Sequence, residues 1–202
     1  MNFLSIDCST DLFSLFIKVK SKSFNKTLQS DKFSNDLLMR QILDFFKENN
    51  LIIDNVDQIF INQGPGNFSG LRTSLAIAKG ISLSKNLDLY GYDIFRWTGA
   101  KFFEKKDEPI FCFIKFREKY FVKKFNENLS SDSKIKEVLE NDILEKYNNK
   151  FKIIPEFMKK QFSKKILSLD DINIISLDHN DLEFLKLKDL LDKDLIKPLY
   201  LI

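Results

Sequence analysis

Apolar runs of strand length alternate along this chain with longer segments of helical periodicity, a pattern typical of α/β proteins. The first half predicts strands and helices in the order 2–7, 14–19, helix 34–48, 56–62, helix 71–85 and 87–93. Ser34 or Asn35 is a suitable N-cap for the first of these helices.

The second half repeats this style of organisation. It predicts a hairpin from FCFIKF and YFVKKF, helices at roughly 131–148 and 181–193, and strands near 151–154 and 172–177. Strands, helix, strand, helix and strand, followed by another hairpin, indicate two related α/β halves. We place their boundary near residue 99, giving halves 1–98 and 99–202.

Composition narrows the class of protein only modestly. A net charge of +3, with 44% hydrophobic and 30% charged residues, is that of an ordinary globular chain. Basic residues are interspersed with acidic ones and only four are arginines, so no nucleic-acid stripe is visible. The start MNFLSIDCSTD lacks a basic segment and is not expected to be a signal peptide. Cys8 and Cys112 lie in apolar runs and are expected to be buried thiols.

The six glycines are concentrated between residues 64 and 99, and four of them lie in FINQGPGNFSGLRTSLAIAKG, residues 60–80. Glycine-rich turns ahead of a helix are common phosphate sites, because backbone N–H groups can converge on an anion. The stretch nevertheless matches neither G-x-x-x-x-G-K-[ST] nor G-x-G-x-x-G. Two interpretations remain: an anion site at the helix N-terminus, or glycines that turn the chain and bring the helix close to the sheet. The spacing favours the second.

Few residues suggest catalysis. His179 is the only histidine, and neither C-x-x-C nor H-E-x-x-H occurs, so no metal site is predicted. Asp7 ends the first predicted strand and is the best-placed carboxylate for metal or nucleotide work, ahead of Asp11 and Asp93. It is at least as well explained as a turn residue that caps local N–H groups.

Three stretches carry a resemblance to a known family: FLSIDCST at the start, QGPGNFSGLRTSLAIAKGISLSKN, and the ending IKPLYLI. Together they closely resemble the TsaB (YeaZ) family, whose fold is similar to that of actin, sugar kinases and the Hsp70 ATPase (the ASKHA, ribonuclease H-like class). The resemblance is strong over residues 1–97 and thinner beyond. The second half keeps only Arg117 of the family's usual Asp-Ala-Arg.

The resemblance implies a non-catalytic subunit with no catalytic residue, metal or cofactor of its own. Such subunits bind a TsaD-type catalytic paralogue and a TsaE-type ATPase, which are expected to carry the metal and ATP. The complex transfers threonylcarbamoyl to N6 of adenosine 37 in tRNAs that read ANN codons, and tRNA is reached only through the complex. A cytoplasmic location without membrane contact follows. Where the paralogue has its metal-binding histidines, this chain reads GYDIFRW, residues 91–97.

The resemblance also directs attention to two sets of residues. A vestigial nucleotide loop is expected at Asp7, Ser9, Thr10, Gly64, Gly66 and Gly70. A partner interface, or a homodimer contact when the paralogue is absent, is expected where the two first-half helices have more apolar surface than one sheet covers. Its predicted residues are Leu38, Met39, Ile42, Phe46, Thr73, Ala76, Ile77, Gly80 and Ser84.

Two alternatives stay open. The chain could be a stand-alone ATP-binding phosphotransferase or hydrolase of the actin-like fold, with Asp7 holding Mg²⁺ and residues 64–70 near the phosphates. It could also bind tRNA directly, in which case its affinity would fall steeply with salt.

Overall fold

The chain forms two α/β units. The computed structural model describes residues 1–29, 37–130 and 133–201. One unit comprises Met1–Asp93 with Leu191–Ile202, and the other comprises Ile94–Leu190. The expected boundary near residue 99 therefore moves to residue 93, and the C-terminal segment returns to the first unit.

The first unit is built on a five-stranded mixed sheet with the order β3-β2-β1-β4-β5. Its strands are β1 (Phe3–Asp7), β2 (Leu12–Val19), β3 (Lys22–Gln29), β4 (Gln58–Asn62) and β5 (Asp88–Tyr92). β1 pairs antiparallel with β2 and parallel with β4. A short 3₁₀ helix, Ile53–Asn55, precedes β4.

Two helices of this unit pack on one face of the sheet, α1 (Leu38–Glu48) and α2 (Phe68–Lys85). Alternation along the strands directs Leu4 and Ile6 of β1 into the core that both helices share. Phe3, on the other face, stacks with Phe16 and Phe60 at ring distances of 5.5 and 4.7 Å. Each face of the central strand is therefore buried, which explains its continuous apolar run.

The second unit repeats the strand topology, with the order β10-β9-β6-β7-β8. Its strands are β6 (Ile110–Phe116), β7 (Lys119–Phe125), β8 (Lys136–Val138), β9 (Phe151–Pro155) and β10 (Ile172–Ile175). Its helices are α3 (Ile94–Gly99), α4 (Glu140–Glu145), α5 (Lys164–Leu167) and α6 (Asn180–Leu187), with 3₁₀ helices at Ala100–Phe102 and Glu156–Gln161. In each sheet the first strand pairs antiparallel with the second and parallel with the fourth, so the expectation of two related halves is confirmed.

Most of the predicted elements are present, with several differences. The helix expected at 131–148 is wrong: β8 occupies 136–138, and α4 covers only 140–145. β3, α3 and α5 were not expected, α2 starts three residues before the predicted Leu71, and α6 ends at Leu187 rather than at residue 193. The suggested N-caps Ser34 and Asn35 lie outside the described residues, and the residue before α1 is Leu37, with no side-chain cap bond.

A buried ion pair lies in the core of the second unit. Lys152 of β9 is fully buried, and its ammonium group donates to Asp171 and to the backbone carbonyls of Tyr147 and Lys150. All three donors of the ammonium group are therefore used, which is the condition under which a buried lysine is tolerated. Asp171 is 25% exposed, its Oδ2 accepts from Lys152, and its Oδ1 is buried without a hydrogen-bond partner among the described residues.

We expect Asp171→Ala to lower the free energy of unfolding by about 3 kcal/mol, because it leaves a buried ammonium group without its counter-charge. Lys152→Met should cost less, since the remaining Asp171 can still be hydrated. Urea unfolding of both variants measures the difference. A larger loss for Lys152→Met than for Asp171→Ala would contradict this account of the pair.

Candidate functional site

The glycine loop runs from the end of β4 to the N-terminus of α2 and packs against the β1–β2 turn. A Cβ on Gly66 would lie 2.0 Å from the carbonyl oxygen of Ser9, and one on Gly70 would lie 2.3 Å from that of Cys8. These distances are far below a van der Waals contact, so only glycine fits at either position. The space beside the loop is filled by the protein's own backbone.

A positive φ is not the reason for the glycine at position 66. Gly64 is the loop glycine with positive φ, at 107°. Gly66 is needed because the β1–β2 turn approaches it closely. The same approach allows the amide of Asn67 to donate to the Ser9 carbonyl at 2.7 Å.

The N-terminus of α2 is capped from within. Asn67 is the N-cap, and its side-chain oxygen accepts hydrogen bonds from the amides of Ser69 at 3.1 Å and Gly70 at 3.2 Å. These amides are among the donors that an anion at a helix N-terminus would use. The cap therefore favours the packing interpretation of the loop over the anion interpretation.

Asp7 has the role of a turn-capping residue. Its carboxylate accepts from the amide of Ser9 at 2.9 Å and from the Ser9 hydroxyl at 2.6 Å. The amide group of Asn62 donates to the same hydroxyl at 3.2 Å and accepts from the amide of Gly64 at 2.7 Å. Thr10 bonds locally to the backbone of Leu12. Of the predicted loop residues, Asp7, Ser9 and Gly64 thus share one hydrogen-bonded network between the two turns, and Thr10 lies outside it.

The other candidate groups for chemistry are enclosed. Burial, followed by the nearby charge of Asp7, raises the pKa of the Cys8 thiol well above its ordinary value, so this thiol stays protonated and is a poor nucleophile. Cys112 is also a buried free thiol, as expected. His179 is buried at the N-cap position of α6, with its ring 5.0 Å from that of Trp97. The described residues contain no cluster of three or more His, Cys, Asp or Glu suited to a metal.

The predicted interface residues divide into two groups. Leu38, Ile42 and Phe46 are at most 2% exposed and belong to the core of the first unit. The apolar side of α1 packs on the sheet of its own unit. The prediction that these three residues form a surface for a partner is therefore corrected. Met39, Thr73 and Ile77 are partly exposed, and Ala76, Gly80 and Ser84 are exposed.

The exposed side of α2 forms a surface that we call the α2 face: Phe68, Arg72, Thr73, Ala76, Ile77, Lys79, Gly80, Leu83 and Ser84. At 100° per residue, small side chains lie along its middle, and Phe68, Arg72 and Lys79 lie along one edge. Leu83 is 85% exposed, and a Cβ on Gly80 would meet no atom within 4 Å. Leu83 was missed because the expectation followed the small residues, although it lies directly beside them on the helix, between Arg72 and Ala76.

A groove of about 780 Å³ adjoins the C-terminal ends of α1 and α2. Its lining is mainly apolar: Leu43, Phe46, Lys47, Asn50, Leu51, Ile52, Ile53, Asp54 and Lys85. Leu43 and Ile52 are 45% and 61% exposed, and Lys85 pairs with Asp54 at 2.8 Å. Apolar surface is therefore exposed on both helices.

The C-terminal segment of the first unit is held by Gln63. The side chain of Gln63 donates to Asp192 at 2.6 Å and accepts from the amide of Lys197 at 2.9 Å, while its carbonyl accepts from the amide of Leu199 at 2.7 Å. These bonds lead the chain to Tyr200, whose ring lies 5.3 Å from that of Phe68. The quoted sequence blocks at 63–72 and 196–201 are thus neighbours in space.

Two solved structures share the whole of this fold. One is described as an uncharacterised Pseudomonas aeruginosa protein with similarity to peptidase YeaZ; it is 12% identical, with a TM-score of 0.72, over 100% of this chain and 99% of that one. The other is YeaZ from Pseudomonas aeruginosa, at 13% identity and a TM-score of 0.70, over 99% of both chains. The class of protein is therefore an α/β protein with the fold of these YeaZ-like structures, built from two related halves.

Sequence comparison finds two matches, each over part of the chain. The family profile "TsaD: tRNA N6-adenosine threonylcarbamoyltransferase" matches residues 29–118, a little under half of the chain. The tRNA threonylcarbamoyladenosine biosynthesis protein TsaB of Buchnera aphidicola subsp. Baizongia pistaciae is 32% identical over 84 residues, which are 42% of this chain. The chain spans only 38% of the length of that relative. Over part of its length the chain is therefore similar in sequence to a TsaD profile and to a TsaB protein, and its fold is that of the two YeaZ-like structures.

No helix among the described residues is both long enough and apolar enough to cross a membrane.

We expect Gly66→Ala and Gly70→Ala each to lower the free energy of unfolding by about 1–3 kcal/mol or more, because a Cβ would push against the backbone of the β1–β2 turn. Gly80→Ala is the matched control in the same part of the chain. Its Cβ enters open space and favours the helix, so stability should rise by up to about 1 kcal/mol. Thermal and urea unfolding measure all three. Equal effects at the three positions would contradict the close-approach explanation.

Proposed function

We propose that this chain is a non-catalytic subunit of a tRNA-modifying complex. In this proposal it binds a TsaD-type catalytic paralogue and a TsaE-type ATPase in the cytoplasm. The complex attaches threonylcarbamoyl to N6 of adenosine 37 in tRNAs that read ANN codons. ATP and the metal belong to the partner subunits, and tRNA contacts this chain only within the complex. The names of the matched TsaD profile and TsaB relative support this assignment.

The filled glycine loop is the observation that carries the non-catalytic part of the proposal. The carbonyls of Cys8 and Ser9 occupy the space beside Gly70 and Gly66, and Asn67 caps the helix that a phosphate would need. The carboxylate of Asp7 accepts hydrogen bonds from the amide and the hydroxyl of Ser9 and so caps the β1–β2 turn. On the side where these two glycines lack a Cβ, the space is filled by protein backbone and not open to a ligand, which argues for packing as the role of these glycines.

The partner interface of the proposal is centred on the α2 face. Exposed small residues such as Ala76 and Gly80 let a second helix approach closely, and exposed Leu83 supplies apolar area for burial. Met39 and Leu43 extend this surface onto α1. An α2 face that is apolar at its centre and polar at its edges has the anatomy of a protein–protein interface.

Reconstitution with the TsaD-type and TsaE-type proteins of the same organism tests the function. The full mixture should modify tRNA at adenosine 37, and omission of this chain should abolish the product. Purified chain alone should show no tight ATP binding in calorimetry with Mg²⁺. Modification that proceeds equally well without this chain, or tight ATP binding by the chain alone, would favour the stand-alone enzyme instead.

We expect Ala76→Arg to abolish co-purification with the TsaD-type partner while leaving the melting transition of the free chain unchanged. Ala76 is exposed, so the longer side chain fits in the free protein but prevents close approach of a partner helix. Thr27→Arg, on exposed strand β3, is the control for an added arginine elsewhere. Met39→Arg is less decisive, because Met39 also packs against the core. Retained binding by a folded Ala76→Arg variant would remove α2 from the interface.

A further inference from the structure

Arg72 is held in a fixed position on the α2 face by two aromatic rings. Its guanidinium carbon lies 3.9 Å from the centre of the Phe68 ring, and its Nε donates to the Tyr200 hydroxyl at 3.0 Å. Phe68 and Tyr200 are 47% and 41% exposed. A stacked and hydrogen-bonded guanidinium loses little further conformational entropy when it binds a partner. Arginine and tyrosine are also residues that often dominate binding energy at interfaces.

The α2 face carries positive charge without negative charge. α2 has three basic residues, Arg72, Lys79 and Lys85, and no aspartate or glutamate. Lys85 pairs with Asp54, whereas no ion pair to Arg72 or Lys79 is formed within the described part of the chain. Two cations therefore lie along one edge of an exposed apolar centre, with their charges uncompensated by these residues.

This charge pattern discriminates among possible partners. Two copies of the chain that met through α2 would bring only basic residues together. The acidic side chains of neighbouring α1, Asp44 and Glu48, already face Arg40 at 3.8 Å and Lys26 at 2.6 Å. A nucleic acid would call for a much more positive and more polar surface than two cations around an apolar strip. A protein face with an apolar centre and carboxylates at its edge matches both features.

We propose that the α2 face, completed by Tyr200 of the C-terminal segment, is a docking surface for a protein partner that places carboxylates opposite Arg72 and Lys79. The charge pattern favours this acidic partner over a second copy of the chain. The inference rests on the proposed function, in which the partner is the TsaD-type paralogue, and it adds the chemistry by which that partner is selected.

The test measures the affinity of the chain for the TsaD-type partner by titration at low and at moderate salt. Arg72→Glu should weaken binding by about tenfold or more at low salt and flatten the salt dependence, because an attractive charge pair becomes repulsive. Arg72→Lys keeps the charge but loses the planar, stacked geometry, so an intermediate loss is expected. Tyr200→Phe, which removes the hydroxyl that orients Arg72, should also weaken binding while keeping the ring.

Lys22→Glu is the matched control, because it makes the same charge change at an exposed position on β3 and should leave the affinity unchanged. Arg72 is exposed and forms no ion pair within the described part of the chain, so Arg72→Glu should fold. Circular dichroism of each variant checks this directly. If Arg72→Glu does not fold, Arg72→Lys and Tyr200→Phe still decide the result.

The outcomes separate this inference from the proposed function. Absence of binding by the unmodified chain would overturn both. Unchanged affinity for Arg72→Glu with normal binding by the unmodified chain would overturn only the docking surface. A homodimer at low salt as tight as the heterodimer would overturn the preference for an acidic partner. Binding of tRNA by the chain alone that Arg72→Glu abolishes would assign the surface to nucleic acid instead.

Discussion

The close approach of the β1–β2 turn to the glycine loop is the constraint on which the first unit depends. The carbonyls of Cys8 and Ser9 occupy the positions that side chains at residues 70 and 66 would take. The turn also accepts the hydrogen bond from Asn67, and Asn67 caps α2. One contact therefore sets where α2 begins and how closely it lies on the sheet. The direction of its exposed face follows from the same contact.

The two units use one topology but different local chemistry. All six glycines lie between residues 64 and 99, so the turn after β9 in the second unit, Pro155 and the 3₁₀ helix Glu156–Gln161, has none. A backbone approach like that at Gly66 and Gly70 relies on residues without a Cβ. The second unit instead contains a buried lysine, Lys152, whose donors are all satisfied. Repetition of the strand order thus does not require repetition of the loop.

Sequence reasoning succeeded where one physical signal dominated. Eight strands follow from apolar runs, because buried strands are continuously apolar or alternate strictly. β3 was missed because KSFNKTLQ is mostly polar and only Leu28 is buried, as is usual at a sheet edge. β8 was missed because three residues, KEV, fit inside a helical pattern as well as a strand. Local pattern does not identify strands whose residues are mostly exposed or too few to show a period.

The candidate site, like the fold, was predictable from the sequence only in part. Sequence alone located the glycine loop and the small-residue side of α2, but could not show which residue approaches Gly66. It also could not show that Leu38, Ile42 and Phe46 are used up by the core, since helical periodicity gives the width of an apolar arc and not what covers it. Tyr200 joins Arg72 only through the fold, from 128 residues away.

A binding surface has to pack closely against its partner and to choose that partner, and different residues of the α2 face suit these two requirements. A glycine at position 80 lowers the stability of the free helix, and no neighbouring atom requires it, since an added Cβ would meet nothing within 4 Å. Leu83 exposes most of its side chain. Neither feature helps the free chain, while both favour close packing of a partner helix. Close packing alone does not choose between partners, because small and apolar surfaces also fit copies of themselves. In the proposed interface Arg72 and Lys79 would supply that choice, since like charges make the self-contact unfavourable and an acidic face favourable. Under the proposed function, the small residues set the distance between α2 and the partner helix, and the cations beside them set the identity of the partner.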